Sequence, residues 1–455
     1  MEPRFVEIHA LIFYPASLLN RDDSGLAKRI FMGGSTRLRI SSQCLKRHWS
    51  QHDGKDGLAA LDLPSTIRSR LTFETEIVKP LVALGTYDES SVRFVVEGLM
   101  DVVLGKSEKS KKVEKKEMEK KEEKEKKKKA LKEEKAKKVT KEDDESVLDP
   151  LPESSEGLLN AEVGADDGLE TKQVVVLGRP EVNYLLRVSQ EILDTIKDPK
   201  DAERAFKSYF ASKKHDFKNN LQAIPMGCGL TAALFGRMAT GDALARYDSA
   251  VNVAHGITVH AAQTEADYFS AVDTLASSDR GVSGHLNSTE LSTGLYYIYV
   301  CVDVRQLVSN ILGCTKEEWL IKSKGQTIIS DVVVRLLRTI ATVSTGAKHG
   351  STAPFTYAST LLVRMGDEQP IQFSEAFLRP VNAGPMDNLL EQAHMALAEF
   401  LIDMSRMYEL KGFLGMAARR PHDSLKALVK TGTVANLESW ISDCIASGTC
   451  VPFQP

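Results

Sequence analysis

A segment of opposed charge limits what the rest of the chain can fold into. Residues 106–145 contain 18 Lys and 13 acidic side chains, and residues 146–170 contain 7 acidic side chains and no base. Residues 106–141 have almost no apolar stripe, but Glu–Lys pairs four residues apart favour a solvated, fraying helix, followed by an acidic linker. Any core must therefore come from the chain before residue 106 and after residue 170.

The overall charge and the apolar pattern exclude several classes of protein. A formal net charge of −3 over 455 residues argues against coating nucleic acid through bulk charge, so a basic site must be local. The chain has no apolar run of about 18 residues, so we expect no membrane span. Glu2 and Glu7 make the N-terminus unlike a secretory signal. The six cysteines form no C-x-x-C pair, which predicts reduced thiols and a cytoplasmic protein.

Apolar periodicity predicts strands scattered among helices. Strands are predicted at 5–14, 173–177, 295–304 and 360–365, and strand or buried segments at 230–239 and 251–260 around a turn at 241–242. Helices are predicted at 66–85, 89–104, 180–196, 202–212, 316–343 and over most of the chain from about 387. This alternation is typical of an α+β core with a large helical insertion.

Motifs for chemistry are weak. Gly227, Gly229 and Ala232 match a dinucleotide fingerprint in spacing, but Pro225 spoils the strand that should precede it. His255 and His260 are five residues apart, which separates them on a helix or a strand, so we expect no shared metal. We therefore expect no cofactor, no metal and no enzymatic activity, although catalytic groups can converge from distant positions.

A basic strip occupies residues 20–50, where seven bases face two acids. Hydroxyl and amide side chains lie between the bases, and Ser41 or Ser42 is predicted to cap a helix that buries Leu45 and Trp49. Gly33 and Gly34 predict a turn or a close backbone approach. Cations, hydroxyls and a helix N-terminus together suit a phosphodiester backbone. A solvated basic surface explains the same composition, and the residues alone leave both interpretations open.

Several motifs resemble the CasC family, the repeated backbone subunit of the type I-E CRISPR complex Cascade. The first ones are Leu19-Asn-Arg-Asp-Asp23, Met32-Gly-Gly34, Arg37-Leu-Arg-Ile-Ser-Ser-Gln-Cys-Leu-Lys-Arg47 and Thr66-Ile-Arg-Ser-Arg70. Further ones are Ala233-Leu-Phe-Gly-Arg-Met-Ala-Thr240, Ala250-Val-Asn-Val-Ala-His255, Asp267-Tyr-Phe-Ser-Ala-Val-Asp273, Ser292-Thr-Gly294 and Thr345-Gly-Ala-Lys348. Their order and spacing cover most of the chain outside 106–170 and the last hundred residues.

The resemblance implies an α+β fold with three parts. These are an RNA-recognition-motif-like (ferredoxin-like) palm, a helical fingers insertion and a β-hairpin thumb. The implied boundaries are palm at 1–58, fingers at 59–232 including the charged insert at 106–170, palm at 233–260, thumb at 261–294, and palm completion with C-terminal helices at 295–455.

The resemblance also implies a non-catalytic function in antiviral defence. Copies would polymerise head to tail along a guide crRNA, with each thumb flipping one base and leaving the others exposed for target DNA. The implied partners are the guide crRNA, target DNA through the guide, neighbouring copies of the chain and other Cascade subunits, with no membrane and no cofactor. Head-to-tail contacts of this kind give a helical filament.

Site residues carry over from the matching motifs. The positions that the resemblance assigns to the guide backbone are Arg21, Lys28, Ser41, Gln43 and Lys46, and Arg39 of the basic strip is counted with them. Arg237 and Met238 match the region beside the kinked nucleotide, while Phe269 and Ser270 fall at the intercalating end of the thumb and Leu286 on its returning limb. An apolar side chain between unstacked bases needs no base identity, which suits a guide of any sequence.

Two departures and two alternatives remain. The insert at 106–170 is foreign to the family pattern, and a family Lys expected just past the first helix has no counterpart at residues 50–53. One alternative is an RNA-cleaving member of the same superfamily, in which Asp273 of the thumb would promote cleavage. The other is a general single-stranded RNA-binding protein with no guide function.

Overall fold

The computed structural model describes residues 1–105, 168–238, 243–272, 283–319, 323–346, 349–382 and 388–455. The chain forms two compact units: the first contains Met1–Thr66, Pro225–Arg237 and Arg246–Pro455, and the second contains Ile67–Ile224 and Met238–Ala245. The helix predicted at 106–141, most of the acidic linker and the turn predicted at 241–242 lie outside the described residues.

Strands and helices alternate along the described chain. The strands are β1 (Phe5–Ser17), β2 (Arg29–Met32), β3 (Ser35–Ile40), β4 (Thr66–Ser69), β5 (Val175–Gly178), β6 (Val251–Val253), β7 (Gly256–Thr258), β8 (Thr264–Val272), β9 (Ser283–Asp303), β10 (Thr360–Gly366), β11 (Phe413–Ala418) and β12 (Lys430–Gly432). The helices are α1 (Ser42–Gln51), α2 (Lys79–Ala83), α3 (Glu89–Leu104), α4 (Arg179–Leu193), α5 (Ala202–Gln222), α6 (Leu230–Phe235), α7 (Val304–Leu312), α8 (Ser323–Thr342), α9 (His349–Thr352), α10 (Leu389–Tyr408), α11 (Asp423–Lys426) and α12 (Val434–Ser447). This mixture confirms the α+β prediction.

The first unit is organised by a ten-stranded open sheet. Its order is β12-β11-β10-β1-β9-β7-β3-β2, and β6 and β8 also pair with β9. In β1, Leu11 lies opposite Thr360 of β10 on one side and opposite Tyr297 of β9 on the other, and both pairings are antiparallel. The predicted strands at 5–14, 295–304 and 360–365 are therefore confirmed as three adjacent strands at the centre of the sheet.

The centre of the sheet is buried because apolar side chains stand on both faces. Ile8 and Ala10 are buried in β1, whereas Phe13 near its end is 41% exposed. On one face, residues of β9 and β10 join Phe373, Phe377 and the buried side of α10 in one apolar cluster. A long apolar strand with a covered face is the strongest sequence signal in this chain. That signal was sufficient to predict the central strands.

A buried ion pair lies within this sheet. Arg364 of β10 pairs with Glu7 of β1, and its guanidinium also reaches Glu368. The Glu7 carboxylate accepts further hydrogen bonds from the Tyr299 hydroxyl at 3.1 Å and from the Ile371 N–H at 2.6 Å. These bonds satisfy most of the carboxylate, which is the condition for burying a charge.

The second unit has its own helical core. Apolar residues of α3, α4 and α5 pack together in one cluster with the segment from Phe73 to Leu81. Helices predicted at 89–104 and 180–196 are confirmed as α3 and α4, and the predicted strand at 173–177 is confirmed by β5. Helix α5 continues to Gln222, beyond the predicted end at 212, because its basic C-terminal half still places Phe217 and Leu221 in the core.

Three predicted segments need correction. The prediction of one helix over 66–85 is wrong at its start, because residues 66–69 form β4, which pairs with the distant β5. Of the two options predicted at 230–239, the strand is wrong and the buried segment is right for its first part, which forms the short helix α6. The C-terminal region, predicted as mostly helical, also contains β11 and β12, which extend the sheet beyond β10.

Gly33 and Gly34 form the turn between β2 and β3, with φ of +60° and +78°. A side chain at Gly33 would overlap with the backbone carbonyl of Leu378, so the turn and the close approach predicted here both occur. None of the helices in the described part of the chain combines the length and hydrophobicity that a membrane span requires. The six cysteines, all at described positions, carry free thiols.

Candidate nucleic-acid interface

Hydrogen bonds around Asn20 bring residues of the basic strip together on the first unit. Its side-chain Oδ1 accepts the Ser41 N–H at 2.9 Å, and its backbone carbonyl accepts the Lys28 N–H at 2.9 Å. The Lys28 carbonyl in turn accepts the Arg39 N–H at 2.8 Å. Residues 20, 28, 39 and 41 are therefore neighbours although they are far apart in the chain, and Arg21 follows directly as an exposed residue.

Helix α1 begins inside this cluster. Ser41 is its N-cap, and its hydroxyl oxygen accepts the Cys44 N–H at 3.3 Å, while Leu45 and Trp49 are buried as predicted. The first turn has no acidic side chain and contains the exposed Gln43. The helix dipole and the remaining amide groups therefore favour an anion at this end. Because Ser41 is buried and caps the helix, its first role is structural.

Lys46 extends from α1 over an aromatic ring. Its Nζ lies 5.3 Å from the ring centroid of Phe235, the last residue of α6. Burial lowers the pKa of this half-buried lysine from its usual value of 10.5. The ring attracts the ammonium group and limits its orientations.

Two arginines of the strip make contacts within the protein that stabilise its fold. Arg37 is buried and donates to the carbonyls of Thr258 and Phe377, both at 2.9 Å. Arg29 forms an ion pair with Glu290 of β9, whose carboxylate also accepts the Ala27 N–H at 2.7 Å. Counting charges along the sequence therefore overestimates the number of cations that face a ligand.

His255 is a neighbour that sequence reasoning did not assign to the site. Its Nδ1 lies 3.1 Å from Nη1 of Arg39, and since arginine only donates, this nitrogen is the acceptor. Burial, followed by the charges of Arg39 and Lys28, lowers the pKa of His255 from 6.5. A neutral His255 thus orients the Arg39 guanidinium at neutral pH.

Strands β8 and β9 form a long antiparallel hairpin. Phe269 lies opposite Asn287, and Ser270 lies opposite Leu286. The register therefore brings the predicted residues Ser270 and Leu286 together, although the side chains of these two residues lie outside the described part. Tyr268 is 75% exposed and Phe269 is 46% exposed. Adjacent residues of a strand point to opposite faces, so each face of the hairpin carries one aromatic ring. Tyr268 was missed, although an aromatic pair in a polar stretch was the available signal.

The base of the hairpin is tied to the loop before β2. A cleft of ≈ 530 Å³ lies between them, lined by Arg21, Gly25 and Leu26 of the loop and by Thr264, Ser288 and Glu290 of the hairpin. The ion pair of Arg29 with Glu290 closes the same junction. The basic loop and the aromatic hairpin are consequently held as one piece of the first unit.

Arg237 and Met238 follow in sequence after α6, whose last residue is Phe235. Arg237 is buried, exchanges backbone hydrogen bonds with Tyr247 at 2.9 and 3.3 Å, and places its guanidinium 5.3 Å from the Tyr247 ring. Met238 begins the short second segment of the other unit and is 96% exposed. The contact of either residue with RNA stays a prediction, and Asp273 lies outside the described residues.

The described residues contain no group of three or more His, Cys, Asp or Glu side chains arranged to hold a metal ion. His260 donates from Nδ1 to the Ala261 carbonyl at 2.7 Å, and its Nε2 accepts the Leu295 N–H at 3.1 Å. Both nitrogens are thus used within the fold. What the cluster offers chemically is cations, amides and exposed rings.

The comparisons with known proteins identify a family and a similar fold. The model of the CT1975-like protein family matches residues 6–443. A chain of a solved structure titled "CRISPR RNA-guided surveillance complex, pre-nicking" has a TM-score of 0.69 at 23% identity, covering 98% of this chain and 100% of that one. Another, titled "CRISPR RNA-guided surveillance complex", has a TM-score of 0.48 at 17% identity, covering 96% and 99%. No curated protein gives a significant sequence match.

The family model spans nearly the whole chain and includes the basic strip, the hairpin and the central strands. The fold of the first solved structure extends over both units, which a match of one common domain would not do. The resemblance to the CasC family is thereby confirmed at the level of the family. The chain belongs to the CT1975-like family of CRISPR-associated proteins.

Proposed function

We propose that this protein is a non-catalytic crRNA-binding backbone subunit of a type I-E CRISPR surveillance complex. The observation that carries the proposal is the cluster around Asn20, which presents Lys28, Arg39 and the start of α1 beside an aromatic hairpin. Cations and amides bind phosphates without reading bases, and exposed rings replace base stacking. A guide that varies in sequence requires this kind of recognition.

The strand order supports a palm of the RNA-recognition-motif type. Four central strands, β1, β7, β9 and β10 in chain order, lie side by side as β10-β1-β9-β7 and are antiparallel. Helix α1 follows the first of them, and α7 and α8 lie between the third and the fourth. This is the βαββαβ arrangement of ferredoxin-like folds. We assign the second unit to the fingers and the β8–β9 hairpin to the thumb.

In this proposal, neighbouring copies bind head to tail along the guide. Arg21, Lys28, Arg39, Gln43 and Lys46 neutralise or hydrogen-bond its phosphates, and the hairpin of each copy displaces one nucleotide of its neighbour's segment. Phe269, Ser270 and Leu286 belong to the displacing hairpin, and Arg237 and Met238 to the region beside the displaced nucleotide. The undisplaced bases stay available to target DNA, and other complex subunits bind at the ends of the filament.

The test is the identity of the RNA that co-purifies with the protein. Expression with a repeat–spacer array and the partner subunits should give a complex whose RNA consists of repeat-flanked spacers of uniform length. A mixture of cellular RNAs would instead indicate a general single-stranded RNA-binding protein.

Catalysis is tested separately. The purified complex, incubated with Mg²⁺ and an RNA complementary to the guide, should leave that RNA intact. Periodic cuts that disappear in Asp273→Ala would show that the protein is an RNA-cleaving member of the superfamily.

A further inference from the structure

Phe355 and Tyr357 are aromatic residues with no assigned role and with 74% and 72% of their surfaces exposed. They stand two positions apart in the segment 353–359, between α9 and β10, on the first unit. Exposed apolar side chains that stand close together, unlike single ones, mark sites for ligands or partners. Their surroundings identify the kind of ligand.

The segment is held rigidly by its backbone. The Thr356 N–H donates to the Ser344 hydroxyl at 3.0 Å, the Ala358 N–H to the Ala341 carbonyl at 2.7 Å, and the Ser359 N–H to the Leu11 carbonyl at 2.8 Å. Thr356 thus bonds inward, while the residues before and after it are exposed. The two rings are presented in a fixed backbone conformation, so little entropy is lost when they bind a ligand.

Two contacts join this segment to the basic strip. The ring of Phe355 lies 5.9 Å from that of His349, which lies 6.1 Å from the ring of His48 on α1. The Ser359 N–H of the same segment donates to the Leu11 carbonyl of β1, the strand that leads toward Asn20. The exposed rings are therefore connected to the helix that carries Lys46 and to the strand that leads into Asn20.

Two arginines lie beside the same segment. Arg419 and Arg420 are exposed at the end of β11, and the Arg419 N–H donates to the Ser359 carbonyl at 2.8 Å. The next acid along the chain, Asp423, is paired with Lys426 at 3.0 Å. We call Phe355, Tyr357, Arg419 and Arg420 the aromatic platform. Exposed rings next to guanidinium groups match a single strand, whose bases stack and whose phosphates are anionic.

We infer that the aromatic platform binds single-stranded RNA by stacking unpaired bases on Phe355 and Tyr357, with Arg419 and Arg420 on the adjoining phosphates. The inference rests on the proposed function, since it assigns a further part of the same RNA path. A hydrophobic contact with a second copy of the chain is the competing occupant. The charge beside the rings favours RNA, because a contact between identical copies does not require two exposed guanidinium groups.

The test compares RNA with and without bases. Labelled oligoadenylate and an abasic ribose-phosphate strand of equal length are titrated against the wild type and Phe355→Ala/Tyr357→Ala. Each stacked base contributes about 1–3 kcal/mol, so oligoadenylate affinity should fall about 5- to 140-fold per ring lost. The abasic strand should bind both proteins equally. Met407→Ala/Tyr408→Ala, which removes exposed side chains from the end of α10, is the matched control and should bind like the wild type.

A second variant reports stacking directly. The native tryptophans, Trp49, Trp319 and Trp440, are buried, so Phe355→Trp introduces an exposed fluorophore. Oligoadenylate should quench its emission, and the abasic strand should not. Unchanged oligoadenylate affinity in the double alanine variant, or equal quenching by both strands, overturns the inference.

The outcomes separate the two proposals. If the wild type binds oligoadenylate but the platform variant binds it equally well, the inference fails and the proposed function stands. If the wild type binds neither strand, both fail. If the platform variant changes only self-association in RNA-free sedimentation, the platform is a contact between copies and the inference is wrong.

Discussion

The ammonium nitrogen of Lys46 lies 5.3 Å from the centroid of the Phe235 ring, so a cation of α1 rests on the end of α6. The two residues are far apart in sequence, and nothing in the basic strip itself indicates Phe235. The ring restricts an otherwise flexible side chain. Part of the side-chain entropy that a phosphate contact would remove is consequently already lost on folding.

Lys46→Ala should weaken RNA binding regardless of RNA sequence. Removing one phosphate contact should reduce the slope of log K against log salt by roughly 0.7 for a single strand. Lys46→Arg keeps the charge and should keep the slope. Fluorescence anisotropy over a salt series measures both, and an unchanged slope in Lys46→Ala would remove Lys46 from the site.

Arg37 and Arg39 are one residue apart but should respond in opposite ways. Arg37→Met leaves the buried carbonyls of Thr258 and Phe377 without their donor and should cost about 2–5 kcal/mol in urea unfolding. Arg39→Met removes only a partly exposed bond to His255 and should change stability by less than about 0.5 kcal/mol while lowering the salt slope of RNA binding. Equal destabilisation by the two variants would contradict this division.

Local pattern was sufficient where a segment carries its own apolar signal. The strand at 295–304 and the helix at 89–104 were predictable because their apolar spacing is continuous. Strand β4 was not, since its partner β5 is more than a hundred residues away in the chain and strand pairing leaves no local trace. Strands β11 and β12 were missed for the same reason.

Prediction of the site was limited in the same way: local features were predictable, and contacts between distant parts of the chain were not. The cap at Ser41 was predictable because capping is local. The burial of Arg37 was not, because its acceptors lie 221 and 340 residues further along the chain. His255 likewise reaches Arg39 only through the sheet. Composition identified the strip and resemblance to a family assigned it to RNA, while tertiary contacts decide which of its cations face solvent.

The buried pair of Glu7 and Arg364 should make stability depend on pH. Burial raises the pKa of Glu7 above 4.5, and Arg364 opposes that rise. A folded-state pKa above the unfolded value means that the folded state binds the proton more tightly. The stability that protonated Glu7 contributes therefore falls as pH rises from the unfolded pKa to the folded pKa.

Arg364→Met should therefore be most destabilising at neutral pH. Loss of the cation leaves a buried carboxylate, which should cost about 3–5 kcal/mol near pH 7 and less near pH 4.5, where Glu7 is protonated more readily. Urea unfolding at the two pH values measures the difference. Glu7→Gln/Arg364→Met, which lacks both charges, should lose this pH dependence. An equal loss of stability at both pH values in the single variant would contradict the assignment.

Removing residues 107–168 and joining the ends with a short Gly/Ser linker should leave the protein folded. The chain on both sides is anchored within the second unit through Glu74, whose carboxylate accepts the Leu169 N–H at 2.9 Å and pairs with Arg93 of α3 at 3.2 Å. The Thr171 N–H also donates to the Arg70 carbonyl at 3.0 Å. These contacts do not need the insert. The deletion variant should unfold at the same urea concentration as the wild type and form filaments of the same length on guide RNA in electron micrographs.

Glu74→Ala should instead destabilise the second unit by about 1–3 kcal/mol, because it leaves Arg93 and the Leu169 N–H without this acceptor. Loss of filaments in a deletion variant that still unfolds normally would mean that the insert contacts a neighbouring copy.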